Sequence, residues 1–136
     1  MENQQQIKTG TSFTLKKEER LSSKKVIDQL FAEGKSFLSF PVKVVFLPTP
    51  LNTNYPVQAG FSVSKKIFKR AVKRNRIKRL LREAYRLNKH ILYNNLEDRQ
   101  LAVFFIYIGK DLPAYSSIET AIKKALRQIL KKSEES

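Results

Sequence analysis

The chain contains no cysteine. That excludes disulfides, thiolate nucleophiles and cysteine-ligated metal. It contains one histidine, His90, so neither a multi-histidine metal site nor a histidine relay can be built. Four scattered glycines cannot form a glycine-rich phosphate loop. No apolar run approaches the roughly 18 residues of a bilayer-spanning helix. Residues 1–10 are polar and lack the hydrophobic stretch of a secretory signal. Acidic residues are scarce as well: 12, against 27 Lys and Arg. They are scattered, and no pair has the spacing of a general acid and base. What remains is 136 residues, 41% of them hydrophobic, enough for one domain with a modest core. The expectation is a cytoplasmic protein of formal charge +15 that binds a polyanion: RNA, DNA or an anionic membrane.

The charge is concentrated. Residues 65–86 hold eleven basic side chains and a single acid, Glu83, so about +10 of the +15 falls in 22 residues. Solvated helix faces usually alternate in sign and gain i,i+4 pairs. This one does not, and its self-repulsion calls for a bound polyanion.

Along the chain, residues 1–14 read as a flexible arm, 15–132 as one domain and 133–136 as a frayed tail. After a Ser22 or Ser23 cap, Val26, Ile27, Leu30 and Phe31 share one helix face, closed by Gly34. Pro41 opens a strand in which Val42, Val44 and Phe46 alternate with Lys43, Val45 and Leu47. A second strand sets Val57, Ala59, Phe61 and Val63 against Gln58, Gly60, Ser62 and Ser64. That small face is either a seat for a packed helix or a floor low enough for a phosphate backbone.

Residues 68–88 lack Pro and Gly and read as an amphipathic helix. Ile77, Leu80, Leu81, Ala84 and Leu87 lie on one side. The other side is cationic, with Tyr85 among the charges. The run from Leu101 to Ile108 fits a buried central strand. Ser116 and Glu119 form a capping box ahead of a core stripe from Ile118 to Leu130. The order is helix, strand, strand, helix, strand, helix: an α+β sandwich with one sheet.

A strand, not a helix, precedes the basic helix, which argues against a helix-turn-helix DNA reader. The helix's apolar side carries plain Leu, Ile and Ala rather than the bulky aromatics of a membrane-surface helix. RNA is the favoured partner, with Arg supplying bidentate phosphate contacts. Phe31, Phe46, Phe61 and Tyr85 are candidates to stack on unpaired bases.

The string GFSVSKKIFKRAVKRNRIKRLLREAYR, residues 60–86, resembles the protein component of bacterial ribonuclease P. The family's mark is Val63-Ser64-Lys65-Lys66, then Arg74-Asn75-Arg76, Lys78-Arg79 and Arg82-Glu83. Weaker likeness extends from about Phe13 to Leu130. The resemblance implies a ribonucleoprotein that removes the 5′ leader of precursor tRNA, an RNA subunit with Mg²⁺ performing the hydrolysis. The protein subunit would bind that RNA through Lys65, Lys66, Arg70, Arg74, Asn75, Arg76, Lys78, Arg79, Arg82 and Arg86. It would hold the leader in a cleft formed by Ile27, Phe31, Phe46, Ser62 and Ser64, with Val45 or Phe46 as the strand position facing it. The implied partners are the catalytic RNA and precursor tRNA, with no membrane and no DNA. No residue of the chain would be catalytic or bind metal. The family fold implies a left-handed βαβ crossover around the basic helix, against the general right-handed rule. Two departures stand out. Ile67-Phe68-Lys69-Arg70 replaces a stretch where many members have Gly, and Ile27 stands where many have an aromatic, leaving leader stacking to Phe31. The alternative is a ribosomal or general structured-RNA binder with no processing role.

Overall fold

The computed structural model describes residues 14–134. All of the expected arm except Thr14, and residues 135–136 of the expected tail, lie outside the described residues.

An extended segment with one 3₁₀ turn at Lys17–Glu19 leads to helix α1, Lys24–Glu33. Ser23 is its cap: the hydroxyl oxygen accepts the Val26 N–H at 3.3 Å. Gly34 ends α1, but at φ −71° rather than in the left-handed region. Space, not conformational freedom, requires glycine there. A Cβ would lie 2.5 Å from the Leu30 carbonyl oxygen and 2.9 Å from that of Phe46.

Four strands follow: β1 (Lys35–Ser39), β2 (Val42–Pro48), β3 (Val57–Val63) and β4 (Leu101–Tyr107). Helix α2 is Ala71–Asn88, the short α3 is His90–Tyr93 and α4 is Tyr115–Glu134. The sheet order is β1-β2-β4-β3. β2 is antiparallel to both β1 and β4, while β3 runs parallel to β4. A parallel pair needs a crossover, and α2 with α3 supplies it. Strand β1 and helix α3 add to the six elements expected from the sequence. The Lys-Ser-Phe-Leu-Ser sequence of β1 has no strong alternation, and pairing with β2 across the Phe40–Pro41 turn holds it.

The sheet's two faces are covered unequally. One carries Val42, Val44, Phe46, Val57, Ala59, Val63, Leu101, Val103 and Phe105, and packs against α2, α3 and α4 in the main core. The other carries Val45 and Ala102, which pack with Leu21 and Leu30 beneath α1 alone. Burying each Leu, Ile, Val or Phe contributes about 1.5–3 kcal/mol, so the main core dominates stability. A ten-residue helix cannot cover the second face, and part of it stays open.

Three boundaries differ from the sequence reading. α2 begins at Ala71; Phe68 precedes it as a buried loop residue packed on Tyr107, ring centroids 6.1 Å apart. α4 begins at Tyr115, so Ser116 lies inside the first turn, and Glu119 instead accepts from Asn88 and Tyr115. Ser133 is not frayed: it is buried, donates to the Leu130 carbonyl and accepts from Arg99.

Candidate nucleic-acid interface

The buried side of α2 is Ile77, Leu81, Ala84, Tyr85 and Asn88, spaced i, i+4, i+7, i+8, i+11. This stripe is turned slightly from the one read in the sequence. Tyr85 belongs to the core, within 5.8 Å of Phe61 and 5.5 Å of Phe105 between ring centroids, and cannot stack on a base. Leu80 and Leu87 sit half-buried at the margins.

The opposite side presents Asn75, Arg76, Arg79 and Arg82 to solvent, with Lys78 half-buried beside them. Lys65, Lys66 and Arg70, in the loop before α2, are exposed too. None of these cations has an ion pair among the described residues. Two members of the predicted set are partly committed. Arg74 Nη1 donates to the carbonyls of Phe68 (2.7 Å) and Lys69 (2.8 Å), stapling the loop to the helix. Arg86 pairs with Glu83 at 2.6 Å, and that hydrogen bond raises its pKa above the ordinary arginine value. α2 therefore carries a row of uncompensated guanidinium and ammonium groups, with one intrahelical pair at its last turn.

The half-open face of the sheet is a second surface. Phe31 of α1 is 50% exposed, and its ring lies 5.3 Å from that of Phe104. Ile27, Leu47, Leu51 and Ile106 surround them, partly buried. Ser62 is half-buried on β3 beside Ile106 of β4. Ile27, Phe31 and Ser62 thus share this face as expected. Phe46 does not: it is fully buried on the opposite face against Phe37, and Val45 is the residue that faces α1. A one-residue shift in a strand changes the face. Ser64 lies just past the end of β3, where its hydroxyl accepts the Lys66 N–H, so it shapes the basic loop. Phe61 is half-buried in the core side, stacked 5.7 Å from Phe105.

The small face of β3 divides between its two readings. Gln58 is buried and donates to the Glu18 carbonyl at 3.0 Å, a seat for the N-terminal segment. Gly60 is the floor of the cleft. A Cβ there would lie 2.7 Å from the Phe104 ring, so glycine is what leaves room for that ring. Phe104 and Ile106 were missed because Leu101 to Ile108 reads as one apolar run. Its parity separates them: the odd positions of β4 enter the main core and the even ones face α1.

A buried ion pair positions α1 relative to α2. Glu19 and Lys89 meet at 2.6 Å, with side chains 1% and 3% exposed. Tyr93 Oη donates to the same Glu19 oxygen, and the Lys16 N–H donates to the other at 2.9 Å. Lys89 also donates to the Thr14 carbonyl. Just beyond, the Leu21 N–H donates to the Ala59 carbonyl at 2.9 Å, docking the segment on the edge of β3. Among the described residues, no three His, Asp or Glu come together as a metal site.

A patch of unpaired cations on one side and an aromatic cleft on the other are features suited to nucleic acid. The ribonuclease P family profile matches residues 15–133. The chain belongs to the ribonuclease P protein family. Its relatives include the ribonuclease P protein component of Porphyromonas gingivalis, 44% identical over 123 residues, covering 87% of this chain and 88% of that one. That of Chlorobaculum tepidum is 33% identical over 118 residues, covering 79% and 77%. Among solved structures, the RNase P protein from Thermotoga maritima superposes with TM-score 0.65 at 23% identity, covering 81% of this chain and 96% of that one. The Staphylococcus aureus RNase P protein gives 0.63 at 21%, covering 82% and 94%. These two likenesses establish that the ribonuclease P protein fold is shared. The family assignment sets aside the general RNA binder.

Proposed function

We propose that this ribonuclease P protein acts by docking rather than by chemistry. The α2 face and the loop before it bind the catalytic RNA, and the cleft around Phe31 and Phe104 holds the 5′ leader of precursor tRNA. The RNA subunit carries the phosphodiester hydrolysis. The observation behind this reading is the pairing of an uncompensated cationic helix with a half-open aromatic cleft on opposite faces of one sheet. Cations on α2 would neutralise phosphates of a folded RNA. The Phe31 ring would stack on a leader base, sequence-tolerantly, because every base has a π-face.

Mg²⁺ is assigned to the RNA and substrate.

The test is precursor-tRNA cleavage by the cognate catalytic RNA at low Mg²⁺, with and without the protein. Stimulation, and loss of leader cleavage at low Mg²⁺ when the protein is omitted, is the expected result. RNA binding without stimulation at any stoichiometry would contradict the proposal.

A further inference from the structure

Ser39, Val42, Tyr107 and Val63 stand in one row across the four strands. The turn at 40–41, the loop 108–114 and the basic loop 64–70 therefore leave the sheet at the same end. α2 and α4 start from two of those loops, and neither has an acid in its first turn to offset its positive end. The exposed large apolar side chains gather here as well. Leu38, Phe40, Ile67, Val72 and Leu112 are all in or next to these connections, and Phe31 in the cleft is the exception among the described residues.

Between the turn and the start of α4 lies a solvent-open cavity of about 560 Å³, in the size range of small-ligand sites. Phe40, 69% exposed, lines it together with Lys110, Lys124, Ser117 and Thr120. Neither lysine has an ion pair among the described residues. Asp111 is the one acid in the lining. Its carbonyl accepts the Tyr107 hydroxyl at 2.6 Å, which fixes the loop carrying Lys110. An exposed aromatic and two ammonium groups lining one cavity match an unstacked nucleotide: ring on ring, phosphate on cation.

We propose that this cavity takes an unstacked nucleotide of the catalytic RNA, its base on Phe40 and its phosphates against Lys110 and Lys124. The assignment rests on the docking function above. Continuity selects the catalytic RNA over the leader. The cavity is on the side of the sheet that α4 and α2 share, whereas Phe31 and Phe104 are on the other. The Lys110 loop and the basic loop leave adjacent strands, about 5 Å apart.

The test is the affinity of the full-length protein for its cognate catalytic RNA across a salt series. Phe40→Ala should weaken binding about fivefold or more with an unchanged salt slope, since stacking is lost. Lys110→Ala with Lys124→Ala should make the log–log slope shallower by about 1.4, at roughly 0.7 per single-strand phosphate. These side chains lie at the surface, and a thermal melt confirms folding. If neither variant changes binding while Arg79→Ala weakens it, the cavity assignment falls and the docking function stands. If Arg79→Ala also leaves binding unchanged, the docking function falls and the cavity with it. A Phe40→Ala effect on precursor-tRNA affinity alone would overturn the assignment to the catalytic RNA.

Discussion

Glu19 and Lys89 are 70 residues apart in sequence and form a buried pair. Removing one partner of such a pair typically costs about 3–5 kcal/mol, because the other charge is left without compensation. Glu19→Leu alone should destabilise by that order in urea unfolding. Glu19→Leu with Lys89→Met should recover much of the loss; no recovery would contradict a paired-charge account. Tyr85 poses a different question. Its hydroxyl is buried near that of Tyr93 but forms no well-aligned hydrogen bond among the described residues. Burial is the main cause that raises its pKa above the ordinary 10.0, and it does the same for Tyr93. A phenol whose folded pKa is raised stays protonated in the fold where the unfolded chain would ionise. Its contribution to stability is therefore complete below pH about 10 and lost progressively above it. Tyr85→Phe should be neutral or stabilising at pH 7 and should flatten the alkaline decline. Destabilisation by more than about 1 kcal/mol would mean the hydroxyl has a partner.

At the scale of elements, what the sequence made legible follows from periodicity. α1, β2, β3, α2 and α4 each carry a repeat and β4 a continuous apolar run, and each is present. β1 carries none, because register against β2 makes it a strand rather than its own composition. The basic face of α2 was readable from charge alone. The cleft was readable only in part: Phe31 and Ile27 follow from helix spacing, while choosing between Val45 and Phe46 needed the strand's parity against the sheet. Nothing local marks Phe104 as a cleft residue, and nothing local joins Glu19 to Lys89. Gly60 tests the cleft at this scale. In Gly60→Ala the new methyl must displace the half-buried Phe104 ring. The variant should fold, bind catalytic RNA normally and bind leader-bearing precursor several-fold more weakly, measured as Kd against mature tRNA. An equal effect on both substrates would show that Phe104 does not serve the leader.

At the scale of the whole molecule, unequal coverage of one four-stranded sheet produces two surfaces. Three helices seal one face and one of them turns its cations outward; a single short helix leaves the other face half open. The Glu19–Lys89 pair ties the segment before α1 to the end of α2, so the two surfaces are held in fixed relation. Under the proposed function the chain supplies positioning, and its RNA partner supplies the chemistry. The most direct measurement compares the holoenzyme's Kd for precursor tRNA with and without the 5′ leader, for wild type, Phe31→Ala and Arg79→Ala. Phe31→Ala should erase most of the leader's contribution, by about 5-fold or more, and leave leaderless affinity unchanged. Arg79→Ala should weaken assembly with the catalytic RNA and leave the leader's contribution intact once assembly is saturated. If both variants reduce the leader's contribution equally, the two surfaces do not divide the work and the account is wrong.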